Sequence, residues 1–313
     1  MINTNKKNLL GASLIFPRIF FRLMIFLLLC YVHTQAWSQK IKFTSGGRER
    51  NFILHLPKSY STKDSSIYRI ILCLHGKGSN GREMKMYTGL NKTGDEMNSI
   101  MAYPSTTDDV WPYADTAAIR IEASYLQEVI TYITVHYKGD PDRVYMTGMS
   151  SGGIFTFTFA SLYPSILKGI AVVSGNITLL AKSTLEKNAA VQPPLLLIHG
   201  TADQILYEGK PGICINAEDS FATYLSSCKN EVPLIEQMPD THPGDKCNVE
   251  KIEFNCPEKM TYYRIKGGGH HWPGANFNAA YFTSLRLGHF CKDVKANDAI
   301  RDFILALEKI KTP

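Results

Sequence analysis

Short apolar runs that do not alternate recur along this chain, at residues 68–74 (YRIILCL), 100–103, 144–146, 167–174, 194–199 and 260–265. A strand wetted on one face alternates, so runs this uniform predict strands covered on both faces. Between them the spacing changes. Ile121, Tyr125, Val129 and Ile133 recur at helical intervals and predict a helix over 122–137. The apolar segment 154–162, the segment 218–225 and the amphipathic stretch 297–310 read as further helices. Residues 41–56 do alternate and predict an early hairpin that turns at Ser45-Gly46-Gly47. Pro104 is expected to stop the strand before it, and residues 105–118 read as irregular. Asp140-Pro141-Asp142-Arg143 reads as a turn, and the remainder of 207–260 as a polar, cysteine-bearing stretch. Buried strands alternating with helices predict an α/β fold, with a mostly parallel central sheet and helices on both faces.

The first residues follow another pattern. Lys6, Lys7, Arg18 and Arg22 precede the apolar run 23–32, and Ala36-Trp37-Ser38 supplies small residues at the spacing of a signal-peptidase site. Residues 1–38 therefore read as a secretory signal, with one domain expected over 39–313. An uncleaved anchor is the competing reading, although the run is short for a membrane span. The expected location is secreted, extracellular or periplasmic, with no membrane association after cleavage. The four basic residues of this leader also account for most of the chain's net charge of +6; without them about +2 remains, so no nucleic-acid partner is implied.

Cysteine usage agrees with export. Cys73 lies inside an apolar run and reads as a buried thiol, whereas Cys214, Cys228, Cys247, Cys256 and Cys291 crowd into the irregular part of the chain. Clustering of that kind in an exported protein suggests disulfides, although spacing alone does not pair them. No C-x-x-C is present, so zinc is a poor alternative and no metal is expected.

The chemistry centres on residues 148–152, Gly148-Met149-Ser150-Ser151-Gly152, a G-x-S-x-G between an apolar strand and an apolar helix. That context puts Ser150 at a strained strand-to-helix turn, where a Cβ at Gly148 or Gly152 would collide with its neighbours. A serine hydroxyl needs a base, and the base needs an orienting group. Two loops that follow later strands offer them: His199-Gly200-Thr201-Ala202-Asp203 presents Asp203, and the loop at 267–270 presents His270. The order Ser150, Asp203, His270 is that of an α/β-hydrolase. The amide of Ser151 and one from the loop after residue 74, at Lys77, would bind the oxyanion. Competing readings stay open: Asp203 as a turn residue, His271 instead of His270, His75 and His199 as loop braces, and Trp111 and Trp272 as either pocket wall or core.

Together His75-Gly76, the Ser150 turn, residues 199–203 and Gly267-Gly268-Gly269-His270-His271-Trp272-Pro273-Gly274 resemble secreted esterases of carbohydrate esterase family 1. That group includes feruloyl esterases, acetylxylan esterases and related polyhydroxybutyrate depolymerases. The resemblance covers residues 41–310 and implies Ser150 as nucleophile, Asp203 as acid and His270 as base. It also implies a Cys228–Cys256 disulfide. Lys77 stands where the family usually has a small or uncharged residue, and Asp203 lacks the usual Pro-Tyr pair after it. Those departures lie near the acyl pocket and bear on substrate more than on the triad.

The expectation is a secreted serine carboxylic-ester hydrolase without cofactor. Its partner would be an ester-bearing polysaccharide fragment, with feruloyl or acetyl groups on xylan, or alternatively a hydroxybutyrate polyester. From a different class, a non-catalytic binding protein on the same scaffold is the competing reading. Acyl group, oligomeric state and the pairing of Cys214, Cys247 and Cys291 are not readable from the sequence.

Overall fold

The structure is a computed structural model that describes residues 38–309 apart from 64, 188–191, 226–227, 229–230, 257–258 and 277–286. The expected leader lies outside the described residues except for Ser38, which opens strand β1 (Ser38–Ser45). β1 and β2 (Arg48–His55) form the expected hairpin, with Ser45 opposite Arg48. Gly46 and Gly47 have φ of 57° and 75°, the left-handed pair that a two-residue hairpin turn requires.

The sheet is assembled from β3 (Tyr68–Leu74), β4 (Ser99–Ser105), β5 (Gly139–Met149), β6 (Gly169–Val173), β7 (Leu195–Gly200), β8 (Leu234–Gln237), β9 (Asn248–Asn255) and β10 (Lys259–Lys266). Among the described residues the order is β1-β2-β4-β3-β5-β6-β7-β10-β9-β8. Strands β4, β3, β5, β6, β7 and β10 are mutually parallel, and the flanking pairs are antiparallel. The uniform apolarity of the central strands has a direct cause. Ile70, Leu72 and Leu74 of β3 point to one core layer, while Ile71 and Cys73 point to the other. The neighbours divide likewise, with Leu195 and Leu197 on the first face and Leu196 and Ile198 on the second.

Each layer has its own helices. On the first face lie α3 (Thr116–Tyr137) and α4 (Ser151–Leu162), which bring Leu126, Val129, Ile133, Phe155 and Phe159. On the second lies α7 (Ala296–Lys309), whose Ile300, Phe303, Ile304 and Leu307 repeat at i, i+3, i+4 and i+7. Helices α1 (Gly81–Thr88) and α2 (Asn91–Glu96) join β3 to β4, α5 (Leu179–Lys187) follows β6, and α6 (Ala217–Tyr224) precedes β8. Truncating one of these core residues, Leu72→Ala for example, costs about 2–5 kcal/mol.

Several sequence expectations are corrected. Helix α3 begins at Thr116 because the Asp115 carboxylate accepts from the amides of Ala117 and Ala118. Ile121 is exposed and Ile119 buried in its place. Strand β4 runs through Pro104, which sits opposite Phe52 near the end of the ladder. Residues 140–143 belong to β5, but the register shifts there: Tyr68 pairs with Gly139 and Ile70 with Val144, so the expected turn is a bulge. The polar stretch after 230 contains β8 and β9. Its charges conceal the strand signal because they pair across the sheet, Glu250 with Arg264 and Lys266, and Glu253 with Lys259.

Cys228 and Cys256 form the disulfide implied by the resemblance, with Cα atoms 5.3 Å apart. Cys73, as expected, is a buried thiol, pushed above its usual range by burial.

Candidate active site

Ser150 stands between β5 and α4 with φ 55° and ψ −122°, a left-handed conformation that a residue with a side chain adopts only under constraint. The constraint is visible on both sides. The Ser150 amide donates to Val173 O at 3.1 Å, and its carbonyl accepts from the Ile154 amide at 2.9 Å. A Cβ on Gly152 would lie 2.5 Å from Leu74 O, and one on Gly148 would strike the Gly152 carbonyl. The turn is therefore as tight as residues 148–152 predict. It places Ser150 at the N-terminus of α4, where unpaired amides and the helix dipole favour negative charge.

Asp203 follows β7 and His270 follows β10, two strands paired side by side. His270 Nδ1 lies 2.7 Å from Asp203 Oδ2. Asp203 also behaves as the turn residue that competes for it in the sequence. Its Oδ1 accepts from the amides of Ile205 and Leu206 at 2.8 and 3.0 Å. One oxygen holds the loop and the other faces the imidazole. Burial opposes ionisation of this carboxyl, but hydrogen bonds from His199 and His270 hold it well below the usual carboxylate range.

His199 is the residue whose place the sequence did not reveal. It is fully buried, and its Nε2 reaches the same Asp203 Oδ2 at 2.9 Å. Burial lowers its pKa despite the carboxylate, so the ring is neutral and Nε2 carries the donated proton. His75 and His271 are braces. His75 contacts Gly76 O through Nδ1 and accepts from the Thr106 amide, and His271 Nε2 donates to Gly288 O. His271 has no hydrogen bond with Asp203 among those described, whereas His270 has one.

A cavity of about 770 Å³ opens over this cluster, and Lys77, Ser150, Ser151 and His270 all border it. Gly76 lets the loop after β3 pass close to the serine: a Cβ there would be 3.5 Å from Ser150 Cβ. The wall is largely apolar, with Met84 and Tyr87 from α1, Ile154 from α4, and Ile205, Leu206 and Leu287 from loops. Glu83 and Lys210 join Lys77 as its charged members. Trp111 and Trp272 lie elsewhere, which corrects the pocket reading. Both are fully buried, Trp111 packing on His75 and Phe155, and Trp272 donating through Nε1 to Asn297. An indole fills a core void as readily as a cavity wall, and nothing local in the sequence separates the two.

The family model described as Esterase PHB depolymerase matches residues 51–231. A Nocardia uniformis subsp. tsuyamanensis protein named as an esterase, NocK, is 26% identical over 264 residues, which cover 75% of this chain and 74% of that protein. Feruloyl esterase B of Neurospora crassa is 30% identical over 127 residues, 39% of this chain and 42% of its own length. Among solved structures, acetyl xylan esterase from Aspergillus awamori superposes with a TM-score of 0.60 at 16% identity, covering 80% of this chain and 98% of that one.

Proposed function

The chain belongs to the Esterase PHB depolymerase family, esterases of the α/β-hydrolase superfamily, and from that premise we propose a secreted serine esterase that removes feruloyl or acetyl groups from xylan. One observation carries the mechanism: the strained Ser150 and the Asp203-bound His270 open onto the same cavity. Ser150 Oγ attacks the ester carbonyl while His270, whose Nδ1 is held by Asp203, takes the proton through Nε2. The amides of Lys77 and Ser151 receive the oxyanion. His270 then returns its proton to the departing alcohol, and a water, deprotonated by the same imidazole, releases the acid. Asp203 stays ionised throughout and stabilises the imidazolium.

The substrate class rests on two supports. Relatives named feruloyl and acetylxylan esterases align with this chain over part of their length. The cavity is also larger and more apolar than an acetyl group needs, which suits an aromatic acyl group. Export is supported by the leader pattern and by the Cys228–Cys256 disulfide. A polyester depolymerase is the second reading. Val232, Leu234 and Ile235 are 86%, 62% and 55% exposed at the β8 edge, the kind of apolar surface that docking on a polymer would use.

The test is hydrolysis of methyl ferulate, acetylated xylan and a hydroxybutyrate oligomer by the wild type and by Ser150→Ala. Release of ferulate or acetate that falls below about 1% in the variant is expected. Selective cleavage of the oligomer would transfer the assignment to the polyester. Unchanged turnover in Ser150→Ala would remove the serine mechanism.

A further inference from the structure

We propose that Cys247 and Cys291 form a second disulfide, one that clamps the loop carrying His270. The structure holds both as buried thiols, and their sulfurs lie with an Asp245 carboxylate oxygen inside a cluster whose atoms are all within 4.8 Å of one another. Asp245 brings the two chain segments together. Its Oδ1 accepts from the Cys247 amide at 2.9 Å and its Oδ2 from the Lys292 amide at 2.8 Å, so one carboxylate fastens the backbone beside each cysteine.

What the two segments enclose gives the cross-link its consequence. Gly267 packs so closely on Lys246, the neighbour of Cys247, that a Cβ would strike the Lys246 carbonyl. Gly269 packs equally closely on Leu287 and Gly288, in the run that leads to Cys291. Three hydrogen bonds continue this grip: Gly269 N to His289 O at 2.8 Å, His270 N to Leu287 O at 2.5 Å and His271 Nε2 to Gly288 O at 3.1 Å. The glycine loop is thus held between two jaws, and the cysteines stand where those jaws meet.

A metal fits the same atoms less well. Among the described residues only three ligands converge, whereas a closed structural zinc site takes four. Both carboxylate oxygens are already engaged by amides, and Cys247 and Cys291 are 0% and 2% exposed, which leaves little room for a completing water.

The bond forms by exchange with a low-molecular-weight disulfide while the segments are still accessible during folding. The Cys291 thiolate attacks the external disulfide, forming a mixed disulfide and releasing one thiolate. Cys247 then loses its proton, attacks the Cys291 sulfur and expels the second thiolate. Two protein thiols are oxidised and one external disulfide is reduced to two thiols. In the folded protein, hydrogen bonding with Cys247, and with the Asp293 and Val294 amides, keeps the Cys291 thiol below its usual range against burial.

The test uses the full chain folded with oxidised glutathione, then denatured and alkylated without reductant and digested. The proposal expects the Cys247 and Cys291 peptides joined, two hydrogens lighter than their sum, while Cys73 and Cys214 carry the label. Alkyl groups on both Cys247 and Cys291 would overturn it, and so would thiols shielded in the native protein that a chelator exposes, the signature of a bound metal. Thermal melting supplies an independent reading. Reductant should lower the wild-type Tm by about 5–10 °C more than it lowers that of Cys247→Ala/Cys291→Ala, which retains only the Cys228–Cys256 bond. Equal reductant effects on the two proteins would overturn the proposal.

Discussion

His199 Nε2 lies 2.9 Å from Asp203 Oδ2, four residues apart across the turn that ends β7. The oxygen it reaches is the one that His270 Nδ1 meets at 2.7 Å. Two imidazoles therefore share one carboxylate oxygen. The buried neutral one donates a hydrogen bond that fixes the carboxylate for the other.

In the proposed mechanism that sharing makes His199 a positioning residue. His199→Ala would leave Asp203 Oδ2 with no described partner but His270 itself, so that oxygen would fix the angle of His270 less firmly. A hydrogen bond to a charged group contributes about 1.5–3 kcal/mol, so kcat should fall roughly 10–100-fold with KM changed less. His199→Gln, which can still donate from a similar position, should recover part of the loss. Steady-state kinetics on methyl ferulate checks this; equal rates in all three proteins would leave His199 a loop brace.

Lys77 borders the cavity with an exposed side chain, and the role proposed for it belongs to its amide. Removing the side chain and removing the amide N–H should then give different results. Lys77→Ala should retain activity within a few-fold, whereas Lys77→Pro should lose about 100–1000-fold in kcat while keeping its melting temperature. If Lys77→Ala is as damaged as Lys77→Pro, the ammonium group itself acts on the substrate.

Acid should destabilise the fold through its buried histidines. Burial lowers the pKa of His75, His199 and His271, so all three are neutral when folded and titrate near 6.5 when unfolded. As pH falls below about 6.5 the unfolded chain binds more protons than the folded one, and stability declines with it. Asp203 acts in a lower window. Its depressed pKa contributes stability that is complete above about pH 4 and is lost only as pH falls through the folded value. Urea unfolding should therefore show a lower midpoint at pH about 5.5 than at about 7.5. An unchanged midpoint would mean that these rings are charged in the fold.

Features whose constraints are local can be read from the order of residues. A both-faces-buried strand must be apolar at successive positions, so β3, β6, β7 and β10 are legible as runs. The Ser150 turn is legible because Gly148 and Gly152 sit beside it where any Cβ would collide. Asp203 and His270 are readable as candidates because each follows such a strand.

Which side chains face one another depends instead on how distant segments pack. Whether His199 braces a loop or touches Asp203 depends on how the turn after β7 folds back, and four residues of sequence leave both possible. Trp111 and Trp272 were equally suited to core and cavity until their neighbours filled the space around them. Strand β9 hid behind charges whose partners stand one strand away. The cavity wall draws residues from α1, α4 and the loops after β3, β4, β7 and β10, and no periodicity within one segment records a surface that several segments share. Local backbone geometry is written in adjacent residues, whereas contact between distant ones is set by how the layers pack.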